Sequence, residues 1–149
     1  SELLMEEPEH LRARFNLAVL YHDERRYPDA KQQYQHLLEI YPNHARSLIN
    51  LADIYIDEDR PDQAHLLLLR AVEADPERAY PYSFLGRFLH RQGRREQARI
   101  AYTRALALED DAVTHYRFGM LGLEEGHVAE AEKHLRQAVR LEPAKLNPA

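Results

Sequence analysis

Apolar and small residues recur along this chain at helical spacing, and the recurrence itself has a period. Between residues 45 and 76, Leu48, Leu51, Ala52 and Tyr55 fall on one face of a helix. Ala64, Leu67, Leu68 and Ala71 fall on one face of a second. Asp59, Arg60 and Pro61 interrupt the pattern, with Pro61 placed near a helix start, where its missing N–H costs least. Ala30, Ala64, Ala98 and Ala131 step by 34, 34 and then 33 residues. The small residues Ala18, Ala52, Gly86 and Gly119 keep the same steps, as do the bulky Tyr34, Leu68, Tyr102 and Leu135. One deleted residue near Glu109–Asp111 explains every shortfall. Gly93 and Gly126 stand at the breaks of the later periods and suit a left-handed helix end. Pro42, Pro76 and Pro143 follow the second helices. The pattern predicts helix–turn–helix hairpins in series.

A lone hairpin cannot bury its apolar face, so neighbouring hairpins must stack. Composition agrees: Ala and Leu number 41 against 12 for Val, Ile and Thr together, which favours helix over strand. The 20 basic and 25 acidic residues give a net charge of −5, which argues against nucleic acid as a partner. No apolar run approaches the roughly 18 residues of a membrane span, so direct membrane insertion is not expected. Cytoplasm and periplasm are not separated by these features. With no cysteine there is no thiolate ligand or nucleophile. Ser47 and Ser83 lie in no Gly-x-Ser-x-Gly elbow and no phosphate loop is present, so no enzyme, catalytic residue or cofactor is expected. The nine histidines include no i, i+4 pair. His127 and His134 share a helix face with Glu130 between them, but solvated or capping histidine is the ordinary role, and no metal is expected.

These residues resemble the tetratricopeptide repeat family. That family's pattern runs aromatic, Leu-Gly, Tyr, Ala, aromatic, Ala, Pro. Tyr82, Leu85-Gly86, Leu89, Ala98, Tyr102 and Ala105 follow it, and so do Leu48, Leu51-Ala52, Tyr55, Ala64, Leu68, Ala71 and Pro76. Leu17-Ala18, Tyr21, Ala30, Tyr34 and Pro42 fit with departures at Arg14 and Leu37. Phe118-Gly119, Ala131, Leu135, Ala138 and Pro143 fit with departures at His115 and Gly122. The resemblance implies an all-α, right-handed superhelical solenoid of antiparallel helix hairpins. The expected repeats are 11–44, 45–78, 79–111 and 112–145. Residues 1–10 are expected as the tail of a preceding helix and 146–149 as the start of a following segment or a tail, as in a piece of a longer array.

The resemblance further implies a protein or peptide partner lying along a concave groove lined by the first helices. The groove residues would be Phe15, Asn16, Val19, Ile49, Asn50, Asp53 and Ile56 in the first two repeats. Tyr80, Phe84, Arg87, Arg91, Tyr116 and Met120 would follow in the last two. The apolar members either form an exposed stripe that marks a binding site or pack between neighbouring first helices. Asp53 and Asp57 hold the places that Arg87 and Arg91 hold one repeat later, giving either an ion pair or a polarised groove. A clamp for a C-terminal carboxylate is not expected, because Phe15, Val19, Tyr80 and Phe84 stand where its polar residues would be and only Asn50 matches. An asparagine ladder begins at Asn16 and Asn50 but stops at Phe84 and Arg117. The expected function is a binding scaffold. Two alternatives stay open: a regulatory or substrate-selecting segment of a larger enzyme or envelope machine, and a module that self-associates through its ends.

Overall fold

The computed structural model describes residues 7–141. Among them are eight helices: α1 (Pro8–Asp23), α2 (Tyr27–Ile40), α3 (Ala45–Asp57), α4 (Pro61–Ala74), α5 (Ala79–Arg91), α6 (Arg95–Leu108), α7 (Ala112–Glu124) and α8 (Val128–Leu141). The chain divides after Asp75 into two compact units. The first holds the hairpins α1–α2 and α3–α4; the second holds α5–α6 and α7–α8. Within each unit the second helix of one hairpin packs on the first helix of the next.

Each hairpin turns by the same device. At the first turn the Arg26 N–H donates to Tyr21 O at 2.8 Å and the Arg25 N–H to His22 O at 3.0 Å. Equivalent pairs recur at Arg60 and Asp59, at Arg94 and Gly93, and at His127 and Gly126. This is a Schellman closure, which needs one residue in the left-handed region. Gly93 and Gly126 take it at φ 77°, as their sequence positions predict, and Arg25 and Asp59 take it in the first unit at φ 60° and 59°. A non-glycine residue there carries a steric cost of about 1–2 kcal/mol, so the first unit's turns are strained where the second's are not.

The segment 1–10, expected as the tail of a preceding helix, is divided. Residues 1–6 lie outside the described residues, whereas Pro8–His10 form the first turn of α1. Proline fits there because a first-turn residue has no intrahelical partner for its N–H. Pro143 and the segment 146–149 also lie outside the described residues.

The repeating small residues are the fully buried ones. Ala18, Ala30, Ala52, Ala64, Ala98 and Ala131 are all closed to solvent, with Tyr34 and Tyr102 beside them. A Cβ added to Gly86 would stand 2.6 Å from Tyr102 Cε1, and one added to Gly119 2.8 Å from Leu135 Cγ. In the second unit the recurring small residue thus lies directly against the recurring bulky one.

Candidate functional site

The first helices are fixed at their starts by different caps. His44 Nδ1 accepts from the Ser47 N–H at 3.2 Å at the head of α3. Asp111 Oδ2 accepts from the Thr114 N–H at 2.9 Å at the head of α7. At α5 the end of its own partner helix supplies the cap: Glu109, the residue that follows α6, accepts through Oε1 from the Ala79 N–H at 2.9 Å and from Arg78 Nε at 3.1 Å. Those bonds hold the Glu109 carboxyl below the usual carboxylate range. Burial, with the charge of Arg46, holds the His44 imidazole below its ordinary value, so it stays a neutral acceptor.

In the first unit the expected groove residues are tied into the fold. The half-buried Phe15 ring meets the Tyr34 and His44 rings edge-on, at 6.0 and 5.4 Å between centroids. Ile49 is only 5% exposed and is among the buried residues of α3, which packs against α1, α2 and α4. Asn50 Nδ2 donates to Tyr34 Oη at 3.2 Å. The buried Tyr34 phenol is pushed up to about 12, chiefly by desolvation, and stays neutral. Asp53 lies 3.7 Å from His22 Nε2, and Asp57 accepts from the Tyr27 hydroxyl at 2.7 Å. Val19 and Ile56 are half-buried, and Asn16 is exposed.

The second unit differs. Phe84 is half-buried, with Arg87 and Arg117 lying over its ring at 5.3 and 5.0 Å from the centroid. Arg117 Nη1 also donates to the buried Ser83 Oγ at 2.9 Å, and Ser83 Oγ lies 3.0 Å from Thr114 Oγ1, whose own proton goes to Asp111 Oδ2 at 2.8 Å. Burial holds the Arg117 guanidinium below its ordinary range, Arg87 and Arg91 push the same way, and Tyr102 and Asp111 oppose them. Tyr80 is half-buried under Arg78, and Arg91 is exposed. Tyr116 and Met120 are 48% and 37% exposed, and Val113 and Leu123 continue their line along α7.

Two features of this unit escaped the sequence reading. His115, noted there only as a departure from the family pattern, is buried, bonded to Asp110 through Nε2 at 2.6 Å and to His134 through its Nδ1 at 3.0 Å. Burial and the neighbouring His115 hold His134 below its ordinary value. Glu130, set between His127 and His134, is taken by Arg99, which also binds Glu125. Among the described residues no group of three or more His, Cys, Asp or Glu could hold a metal ion, and no helix is long and apolar enough to cross a membrane.

Sequence models of the tetratricopeptide repeat match residues 21–87, 82–112 and 112–145. A comparison with curated proteins finds no match. Among solved structures, PilF of Pseudomonas aeruginosa is similar at a TM-score of 0.82 and 25% identity, over 91% of this chain and 62% of that one. A thermophilic TPR protein of Thermus thermophilus is similar at 0.82 and 22% identity, over 95% and 78%. MamA from Desulfovibrio magneticus RS-1 is similar at 0.72 and 19% identity, over 96% and 78%. The shared period, the four Schellman-closed hairpins and the three contiguous matches lead to one assignment: the chain belongs to the tetratricopeptide repeat family and has its all-α helical-repeat solenoid fold.

Proposed function

We propose that this chain is a binding scaffold that takes an extended or helical segment of a partner protein along its first-helix faces. As a family member it is a protein-interaction module in general terms; the proposal concerns where the partner lies. The observation that supports it is the line Val113, Tyr116, Met120 and Leu123, exposed along α7 beside the cationic residues around Phe84. Folding of the α7–α8 hairpin does not require that surface, since its buried face is made by Phe118, Gly119 and Leu121. Contiguous exposed apolar surface marks interaction sites, and aromatic anchors beside arginine supply most binding energy in many interfaces. The mechanism is passive: a preformed surface buries apolar anchors, and fixed charges set their direction.

The test is selection of a random peptide library on the folded protein, repeated on Tyr116→Ala/Met120→Ala and on Ile100→Ala, which alters an exposed residue of α6. Peptides retained by wild type and Ile100→Ala but lost by the α7 variant are the expected result. Equal retention by all three proteins overturns the assignment of the surface.

Self-association is a second reading, favoured by α8. Val128 and Val139 are exposed there, and with Leu123 and Leu135 they line an open depression flanked by Glu132, Arg136 and Arg140. Light scattering across a concentration series, on wild type and Val139→Asp, would detect it. A concentration-independent monomer removes this reading.

A further inference from the structure

We infer that α8 pairs antiparallel with α8 of a second copy of this chain. Val128 of each copy lies against Val139 of the other, and Glu132 of each lies against Leu135 and Arg136 of the other. The inference rests on the self-association reading given above and gives that reading a geometry.

The outward face of α8 has a spacing that reads the same in both directions. Val128, Glu132, Leu135 and Val139 step by 4, 3 and 4 residues, the spacing of a coiled-coil seam. Val128 and Val139 are 64% and 56% exposed, Glu132 is exposed and Leu135 is half-buried. The hairpin is closed by the other face of the helix, where Ala131 and Ala138 are buried. An antiparallel copy whose two-fold axis passes level with the Lys133–His134 peptide sets residue 128 opposite 139 and 132 opposite 135, twice over. Arg136 of one copy then comes level with Glu132 of the other to within about 1.5 Å, one helical rise. Within its own helix Arg136 Nε donates to Glu132 Oε2 at 2.8 Å, so the pairing brings each carboxylate a second guanidinium. One polar residue in an otherwise apolar seam fixes its register.

The second helices α2 and α6, which do receive a following hairpin, carry a different face at these places. In the common register Val128 answers to Tyr27 and Arg95, and Glu132 answers to Lys31 and Arg99. Those four side chains reach acidic residues at the end of the next first helix. Tyr27 donates to Asp57 at 2.7 Å, and Lys31 donates to Glu58 at 2.9 Å. Arg95 lies 3.8 Å from Glu124, and Arg99 binds Glu125 at 2.5 Å. At the same places α8 offers neither donor. A following hairpin of the same kind would set one acidic residue against Val128 and the next against Glu132, a like charge. A second α8 meets this face with valine for valine and arginine for glutamate, which is the complementary arrangement.

The chain has no cysteine, so introduced cysteines report the pairing directly. Val128→Cys and Val139→Cys are made singly in the full chain, each at an exposed position. Mixed and oxidised, the two variants should form a covalent dimer on a non-reducing gel. Neither should do so alone, because like positions lie about 16 Å apart along an antiparallel pair, beyond the roughly 7 Å that a disulfide spans. Ile100→Cys, exposed on α6, gives the level of chance collision. In light scattering, Glu132→Arg should weaken the dimer about tenfold, because it sets like charges across the seam. Cross-linking of either α8 variant with itself above the Ile100→Cys level overturns the inference. If wild type dimerises but the mixture stays uncross-linked, or Glu132→Arg dimerises as tightly as wild type, the geometry falls and self-association stands. A wild type that stays monomeric at every concentration overturns both.

Discussion

Asn50 in the first unit and Arg117 in the second occupy the same place in the repeat, and they solve it differently. Asn50 turns inward and satisfies a buried tyrosine at 3.2 Å. Arg117 passes its tyrosine by, binds Ser83 and joins Arg87 against a phenylalanine ring. The surrounding positions follow suit. Ile49 is core, whereas its counterpart Ser83 is a buried hydroxyl hydrogen-bonded to Thr114 and Arg117. Asp53 and Asp57 meet His22 and Tyr27 within their own unit, whereas Arg87 lies over Phe84. Two units built from one repeat thus differ: in the first the polar first-helix residues meet groups of their own unit, and in the second Tyr116 and Met120 stay exposed along α7.

The largest expected effect tests whether the two units are packed alike. The first unit has alanine, Ala18, at the place that Gly86 holds in the second, where an added Cβ would strike the Tyr102 ring. Gly86→Ala should therefore destabilise the protein by about 1–3 kcal/mol in urea denaturation. Ala98→Leu, at a fully buried small position, should cost a similar amount. An unchanged midpoint for either would break the small-against-large register.

Tyrosine hydroxyls come next. Tyr34→Phe removes the partner of Asn50 and should cost about 0.5–1.5 kcal/mol. Tyr102→Phe removes an oxygen that has no partner and should be neutral or stabilising. Equal losses at the two sites would erase the contrast between Asn50 and Arg117.

The caps separate by pH. Because the folded His44 is held below its ordinary value, the unfolded chain binds the extra proton more readily. Stability is therefore fully present above about pH 6.5 and falls as pH drops through the folded value. Losing that cap should cost about 1 kcal/mol. His44→Asp, which copies the Asp111 cap, should remove that part of the acid loss in melts between pH 7 and 5. A wild-type profile that matches His44→Asp would show that the His44 cap carries no stability. Smallest of all, Arg25→Gly or Asp59→Gly should gain about 0.5–1 kcal/mol by relieving a left-handed non-glycine residue, and Gly93→Ala should lose a similar amount. A gain in the first unit with no loss in the second would mean that the turns are not equivalent.

Much of the fold is legible in the sequence because its signals are local. The 34-residue step places Ala30, Ala64, Ala98 and Ala131 in one buried series, and all four are closed to solvent. Gly93 and Gly126 announce their turns, and the same register leads to Arg25 and Asp59, whose side chains give no hint of it. The site is less legible. The sequence places Phe84, Arg87, Arg91 and Arg117 along the first helices, but it does not distinguish Ile49, which is buried, from Tyr116, which is exposed. Nor does it pair His115 with His134, 19 residues away on another helix.

The sequence by itself determined the hairpins, their period and the face each helix turns inward, because a 3.6-residue helical pitch converts spacing directly into direction. Only the tertiary structure decided which outward or edge positions the next hairpin closes, and which polar groups meet across it. Those outcomes depend on side chains some thirty residues apart approaching to within hydrogen-bond distance, as Ser83 does with Thr114 and Arg117. Spacing along the chain cannot encode that distance; the packing of one hairpin on the next sets it.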